Sequence, residues 1–499
     1  VGLAAILLAG TVFAGCAHNP PGVYGSPGAS SSPETPWNPP ARAIEKQQGF
    51  IRTETAEAAE SPSIPPALLE NIQNLALADI VNIALSNSTQ TRQAWEQALA
   101  AAAAYGSERG TYFPVIGASA AAAWQKNAAA GGRIASGYHS YYAGGTLSWL
   151  LFDFGGRGGS IEATREALFA ADWAHNTAIQ DVILQVEVAY YDYFAAKALL
   201  DAQRSTVDEA TTNLSAAEDR HSAGVATIAD VLQARTALSQ ATLTLETLEG
   251  QILTTRGSLA TAMGLPANTT FDVRLPIGAP PVEETGSSVE DCLETAMRER
   301  PDLSAARAQA LGAAARLRSV RAQSWPSFSA SGSAGRLALN GFNEANDSYN
   351  MSITMSLPIF SGGSRHYDIL QAKAQSDAAR AYARSIQDLV TLQVWTSYYD
   401  LQTAAQRVRT SDDLLASAVQ NHEVASGRYK AGVGSILDLL TAQSALESAR
   451  AQQVQARADW WLAVAQLAHD TGTLGVSGAA GAPAGHGTGS DNGSTKGNP

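Results

Sequence analysis

The sequence predicts a mixed α and β membrane protein in which long antiparallel helices continue a sheet of four strands, built from an internal duplication. Three observations carry this expectation. One set of motifs occurs twice along the body of the chain. Each copy holds short segments of apolar and polar alternation, and each then carries about sixty residues of heptad-bearing sequence without proline.

The duplication sets the domain plan. AYYDYF at 189–194 returns as SYYDLQ at 397–402, and RHSAGVATIADVLQARTAL at 220–238 returns as RYKAGVGSILDLLTAQSAL at 428–446, both 208 positions further on. Upstream, Pro114 matches Pro326 and Ala84 matches Ala296 at 212 positions, so a loop of different length is expected between the two sets. Repeat 1 is placed at 68–267, a linker at 268–287 and repeat 2 at 288–472. Each repeat is expected to open with one helix of about thirty residues that leaves at a proline, Pro114 or Pro326, whose ring fixes φ and removes a donor.

Two strands per repeat follow. Met351 to Leu357 alternates apolar with Ser or Thr, and its counterpart sets Ala143, Gly145, Leu147 and Trp149 against Gly144, Thr146 and Ser148. A half-buried soluble sheet also alternates in this way. Aromatic residues gather at the strand ends, however: Trp124, Tyr138, Tyr141, Tyr142, Trp149 and Phe152, then Phe342, Tyr349 and Phe360. This fits the interfacial girdles of a transmembrane barrel, whose strands need about ten residues. Four strands cannot close such a barrel, and open sheet edges are not tolerated in lipid, so a spanning sheet requires several copies of the chain.

The helices come next, from about Ile161 to His221 and from about Arg365 to Tyr429. Val186, Tyr193, Leu200, Val207 and Leu214 recur every seven residues and are answered by Val394, Leu401, Val408 and Leu415. Three residues further on the positions are mostly small: Ala189, Ala196, Ala210, then Ser397, Ala404, Ser411 and Ala418. Partner stretches keep the period with Val231, Leu238, Leu245, Ile252 and Leu259, and with Leu439, Leu446, Trp460 and Leu467, Gln453 interrupting the second series. Large and small heptads predict coiled-coil packing at close approach. Sixty residues of helix reach roughly 90 Å, a rod or the wall of a tube. The heptads do not choose between the two.

The ends of the chain are different in kind. Residues 1–15 form an apolar run ending in small residues, expected as the end of a secretory leader. Phe13-Ala14-Gly15-Cys16 resembles the bacterial lipoprotein cleavage box, which makes Cys16 the lipidated residue, against the alternative of a plain leader with an incidental cysteine. Ala17, which is not aspartate, resembles the signal that sorts lipoproteins to the outer membrane. An extended anchor segment is expected at 16–67 and a disordered Gly-rich tail at 473–499. Cys292, the only other cysteine, reads as a small buried hydrophobe with no disulfide.

Two alternating hairpins flanked by long helices, the turns AGVATIADVL and AGVGSILDLL, FDFGGR at 152–157 and IFSGGSR at 359–365 resemble the TolC/OprM outer-membrane factor family over roughly 68–472. The most specific part is Tyr-x-x-Gly-x-x-x-x-x-Asp-x-Leu around Gly432 and Asp438. The resemblance implies a trimer forming a 12-stranded β-barrel in the outer membrane, four strands per chain, continued by a long antiparallel α-helical barrel through the periplasm. It implies the exit duct of a tripartite efflux pump for small molecules, drugs or metals. The partners would be a homotrimer's own copies, outer-membrane lipid, a periplasmic adaptor and an inner-membrane resistance-nodulation-type pump. The alternatives are a duct for type I protein secretion and a non-channel, structural coiled-coil lipoprotein.

By the same resemblance, His221, Gly224, Val225, Tyr429, Gly432 and Val433 are candidates for adaptor contact at the helical tips, and Asp230 and Asp438 for a periplasmic gate. Gly434 stands where some members carry an arginine that helps hold the entrance shut, and Thr441 where some carry a second acid. Read from the residues alone, Thr227 to Asp230 and Ser435 to Asp438 resemble capping boxes, with the acid favoured by the helix dipole. A pore-facing ring of aspartates is the second reading, and the two are compatible. Gly224 and Gly432 likewise serve as positive-φ turn residues or as sites of close approach by a partner.

No chemistry of an enzyme is visible. GGRGGS at 155–160 lacks the Gly-Lys-Ser/Thr of a phosphate loop, and with SGGSR at 361–365 it reads as a repeated strand-to-helix bend. The histidines lack metal-ligand spacing and read as solvated or packed, no nucleophile elbow or carboxylate pair occurs, and no cofactor is expected beyond the lipid on Cys16. The net charge of −13 argues against a nucleic-acid partner.

Overall fold

A computed structural model describes residues 64, 72–129, 134–274, 281, 288–339 and 346–475. Contacts divide the chain into Val1–Ser63 and Ile64–Pro499, and the described residues lie in the second unit. Cys16, the leader and the tail beyond 475 lie outside them, as does Phe342.

The elements of the two repeats correspond one to one. Repeat 1 runs α1 (Leu77–Asn87), α2 (Thr89–Gly110), β1 (Val115–Ala129), β2 (Ile134–Phe152), α3 (Gly156–Ser222) and α4 (Ile228–Ala262). Repeat 2 runs α5 (Val289–Glu299), α6 (Pro301–Ala322), β3 (Ser327–Leu339), β4 (Asn346–Ser356), α7 (Ser364–Lys430) and α8 (Ile436–Asp470). Paired helices have identical lengths of 11, 22, 67 and 35 residues. The change of offset therefore falls inside the strand hairpins.

The opening helix of each repeat is two helices, not one. Ser88 and Arg300 occupy the same extended conformation, φ −66°, ψ 120° and φ −65°, ψ 120°. Repeat 1 breaks because the Ser88 hydroxyl accepts from the Thr91 amide, and repeat 2 because Pro301 disfavours helix at the residue before it. Helical periodicity passes through both breaks, which is why it did not reveal them.

The strands form one antiparallel sheet in the order β1-β2-β3-β4. Register aligns Ile116, Leu147, Gly332 and Met351 in one row, and Ala330 with Trp149 and Ile353 in the next. Alternation is thereby in phase across all four strands. One face carries Ile116, Trp124, Tyr141, Tyr349, Met351 and Ile353, each more than half exposed. The other carries Ser119, Thr146, Ser148, Ser331, Asn350 and Ser352, with Ser331 and Ser352 hydroxyls 2.8 Å apart across the ladder. Strand β4 stops at Ser356 before Pro358, which cannot donate to a ladder. Leu150 at the equivalent place lets β2 continue to Phe152.

Each strand-to-helix bend is a left-handed residue followed by an arginine. Gly155 (φ 90°) and Gly363 (φ 84°) cap α3 and α7, and Phe154 holds φ 52° where repeat 2 has Gly362. The strain at Phe154 is offset by stacking on Trp325 at 5.5 Å between ring centroids. Arg157 then donates to the carbonyls of Thr111 (3.1 Å) and Leu151 (3.2 Å) and lies over the Tyr112 ring, tying α2, β2 and α3 together. Its counterpart Arg365 donates to the Gln323 carbonyl. The GGR and SGGSR motifs are these bends.

Beside the sheet the helices pack in the order α2, α3, α6, α7; towards the turns they pack in the order α4, α3, α8, α7. The heptad residues form the seams: Val186, Tyr193, Leu200, Val394, Leu401 and Val408 are at most 5% exposed. Gln453, which interrupts the series, donates to Asp412 at 2.6 Å. The largest core sits where α1 and the strand-like stretch 271–274 pack on the middle of α3, burying Ile80, Ile83, Ile183, Val186, Leu259 and Met263 completely, each worth about 2 kcal/mol. Cys292 is free and buried with Ala296 and Val390 in the repeat 2 version of that core. No described helix is long and apolar enough to cross a membrane.

Helix α3 meets α6 at backbone distance through Gly159, where an added Cβ would lie 2.7 Å from the Ser319 nitrogen. Gly159→Val is therefore expected to destabilise the protein by about 1 to 3 kcal/mol. Thermal unfolding in detergent checks this, with Gly158→Val, whose added Cβ would make only ordinary contact at 3.6 Å from the Tyr112 hydroxyl oxygen, as the comparison.

Candidate functional site

The two helical turns are built alike. At Gly224 (φ 77°) the Val225 amide donates to the Arg220 carbonyl and the Gly224 amide to that of His221, both at 2.9 Å. At Gly432 (φ 78°) Val433 donates to Arg428 and Gly432 to Tyr429, both at 3.0 Å. These paired bonds satisfy the last carbonyls of α3 and α7 and require a residue in the left-handed region, hence glycine. The next helices start with reciprocal caps: Thr227 N–H to Asp230 Oδ2 (2.7 Å) with Asp230 N–H to Thr227 Oγ1 (3.3 Å), and Ser435 N–H to Asp438 Oδ2 (3.5 Å) with Asp438 N–H to Ser435 Oγ (3.1 Å). Both aspartates are therefore engaged as caps, Asp438 exposed and Asp230 half-buried.

The apolar groups presented by the turns are Val225 (66% exposed) and Val433 (71%), joined by Ile228 and Leu437. His221 is exposed, and its Nδ1 lies 3.0 Å from the Ala226 carbonyl oxygen. Tyr429, expected at the surface, is 4% exposed and packs with Ile436 and Leu439 against Ala216, so its ring is an internal part of the turn. Gly434 is held for a local reason: an added Cβ would stand 3.0 Å from the Arg428 Cβ and the Tyr429 nitrogen, so an arginine side chain there requires the backbone to shift.

Arg220 joins the two turns and was not singled out in the sequence. Its guanidinium donates from Nη1 to the Tyr429 carbonyl at 2.8 Å and lies 4.8 Å above the Tyr429 ring centroid. The arginine belongs to α3 and the tyrosine to α7, so the contact closes the space between the two helix pairs at their ends. Burial pushes the Tyr429 phenol up, against the pull of Arg220, and the ring stays neutral. The sequence held a cue in the matching residues Arg220 and Arg428, but not the direction in which either points.

A second cluster ties α8 to α3 and to the junction of α5 and α6. His469 Nε2 lies 3.0 Å from Asp181 of α3, and its Nδ1 3.1 Å from Asp470, while Arg300 donates to the Asp470 carbonyl at 3.2 Å and to Asp302 at 2.6 Å. Burial alone lowers the His469 value, but hydrogen bonds to both carboxylates raise it from 6.5 to about 9. His469 is thus a cationic cross-brace, not a solvated or merely packed histidine. Among the described residues no group of three or more His, Cys, Asp or Glu is placed to hold a metal.

The family model described as "Outer membrane efflux protein" matches residues 80–265 and 292–473, one stretch in each repeat. Protein CyaE of Bordetella pertussis is 29% identical over 432 residues, 85% of this chain and 89% of that protein. The pyoverdine export outer membrane protein OpmQ of Pseudomonas aeruginosa is 26% identical over 330 residues, 64% and 67% of the two chains. Among solved structures, the outer-membrane channel OprN has a TM-score of 0.71 at 23% identity, covering 80% of this chain and 90% of that one. The outer membrane protein VceC of Vibrio cholerae has 0.71 at 20%, covering 79% and 96%. The two structures show the fold.

Two outcomes follow from these contacts. Arg220→Met removes a charged hydrogen bond worth about 1.5 to 3 kcal/mol and is expected to speed amide exchange of both turns roughly tenfold; unchanged exchange would mean that the contact restrains nothing. Because the His469 value is raised on folding, its stabilisation is complete below pH 6.5 and is lost as pH rises through about 9. Stability is expected to fall by about 2 kcal/mol over that interval, and His469→Gln to flatten the profile in thermal unfolding.

Proposed function

The chain belongs to the outer membrane efflux protein family and is an outer-membrane efflux channel subunit, and from that premise we propose that three copies close into one duct. The observation that carries this reading is the sheet. One face is apolar on β2 from Trp149 to Tyr141, about 26 Å along the strand, and on β1 from Ile116 to Trp124, while on β3 and β4 it is apolar up to the Arg336–Asp347 pair in the row of Ala143. Tyr141 to Trp149 is nine residues, the length a tilted strand needs to cross the hydrocarbon, and both ends are aromatic. Among the described residues, strands β1 and β4 have one unpaired edge each, which hydrocarbon cannot satisfy but neighbouring copies can. Three copies give twelve strands. The helices repeat the arrangement, with α2, α4 and α7 left at the edges of their layers and exposing Trp95, Leu99, Leu243, Leu253, Leu392 and Trp395.

In this reading the polar face lines the bore, the helices continue it through the periplasm, and the exposed valines of the turns meet a periplasmic adaptor that connects to an inner-membrane resistance-nodulation-type pump. The cargo is a small molecule, as the name of OpmQ says of its own cargo, pyoverdine. The work of the chain is conduction, not catalysis. Cys16 carries the lipid that anchors the subunit in the outer membrane. Cys16→Ser is expected to abolish acyl labelling of the protein; persistent labelling would place the lipid elsewhere.

Photo-crosslinkers at Val225 and Val433, which are exposed where Tyr429 is not, test the partners in intact cells. An adaptor with a resistance-nodulation pump is the expected capture. An adaptor with an ATP-driven exporter would assign the duct to type I protein secretion, and no adaptor at all would leave a structural lipoprotein. For the gate, Asp438→Ala is expected to weaken cation block of the reconstituted channel; unchanged block would leave Asp438 as a helix cap alone.

A further inference from the structure

Charge is present on the strands but confined to one side. Lys126, His139, Arg336 and Asp347 all fall on the face that holds Trp149 and Met351, towards the hairpin ends of the strands. Arg336 and Asp347 pair there at 3.1 Å. The opposite face carries Ser119, Thr146, Ser331, Ser333, Asn350 and Ser352, and among the described residues it has no Lys, Arg, His, Asp or Glu. This inverts the usual preference, since charge facing lipid costs about 2 to 4 kcal/mol at the bilayer midplane and is cheap only near the interfaces. The chain places charge at the interface and withholds it from the side where water would solvate it freely.

The same face is also kept flat. Gly144 and Gly335 stand opposite each other in register, and the Tyr142 side chain lies over the pair. A Cβ on Gly144 would lie 2.5 Å from the Tyr142 hydroxyl oxygen, and one on Gly335 2.9 Å. The glycines thus let the ring lie along the wall instead of projecting from it.

We propose that the strand segment is a charge-neutral bore lined by hydroxyls and amides, which passes cationic, anionic and zwitterionic cargo alike. This rests on the reading that the polar face is the interior. Hydroxyl and amide groups both donate and accept, so they solvate either sign of charge. A fixed charge repeated in each copy would instead focus one sign and exclude the other.

The test measures local potential at the wall. In a Cys292→Ala background, Ser331→Cys in proteoliposomes is treated with cationic and anionic methanethiosulfonates of similar size, and the modified peptide is quantified by mass. Both reagents are expected to react, in a ratio within about threefold of that for free cysteine. Adding Ser352→Asp, whose native hydroxyl lies 2.8 Å from that of Ser331, is expected to raise the cation-to-anion ratio roughly tenfold. A tenfold preference for either reagent before that addition overturns the proposal. Thr146→Cys repeats the measurement on β2 should the first variant fail to fold. Ile353→Cys, on the apolar face, is expected to stay unreacted; if it reacts as fast as Ser331→Cys, the sheet is not embedded and it is the channel reading that fails.

Discussion

The unpaired edges of β1 and β4 constrain everything else in this protein. On each edge, alternate residues direct an amide and a carbonyl outward with no partner among the described residues. In water such edges cost little, and proteins blunt them with charge or proline. Here the strands expose tyrosine, tryptophan, methionine and isoleucine beside those edges, so the surroundings are hydrocarbon, where each unsatisfied group costs several kcal/mol. In the proposed duct, another copy of the same sheet supplies the missing partners at both edges. The helical layers keep the sequence of neighbours that the strands impose, so the proposed closure would also bring α7 of one copy towards α2 and α4 of the next.

Duplication makes this economical, because one solution is used twice with different residues. A serine cap breaks the first helix in repeat 1 and a proline in repeat 2. Phe154 accepts a left-handed conformation, held by Trp325, where Gly362 adopts it without strain. Where the repeats differ without compensation, the structure differs too: Pro358 shortens β4, and the strand hairpins carry the whole change in repeat offset. At the turns the repeats are not interchangeable, since Arg220 reaches the Tyr429 ring across the helix pairs, and the asymmetric tie marks where the two halves are held together.

Local signals were legible in the sequence. Positive-φ glycines, hydroxyl-acid caps and strict alternation each depend on a few adjacent residues, so the long helices, four strands, both bends and both turns were readable before the fold was known. The heptads gave the seams and Cys292 its burial. What could not be read depends on residues far apart in the chain. Tyr429 looked like a surface residue of a turn until Ala216 of another helix covered it, and His469 read as solvated or packed until Asp181, 288 positions away, came within 3.0 Å. The pairing of 271–274 with Leu75 links the inter-repeat stretch to the start of repeat 1, a contact for which neither segment has a pattern.

Native mass spectrometry of the detergent-extracted protein addresses the central claim directly. Closure by neighbouring copies predicts one species of three chains that survives removal of any partner protein. A monomer, or a dimer whose eight strands leave two edges bare, would contradict it.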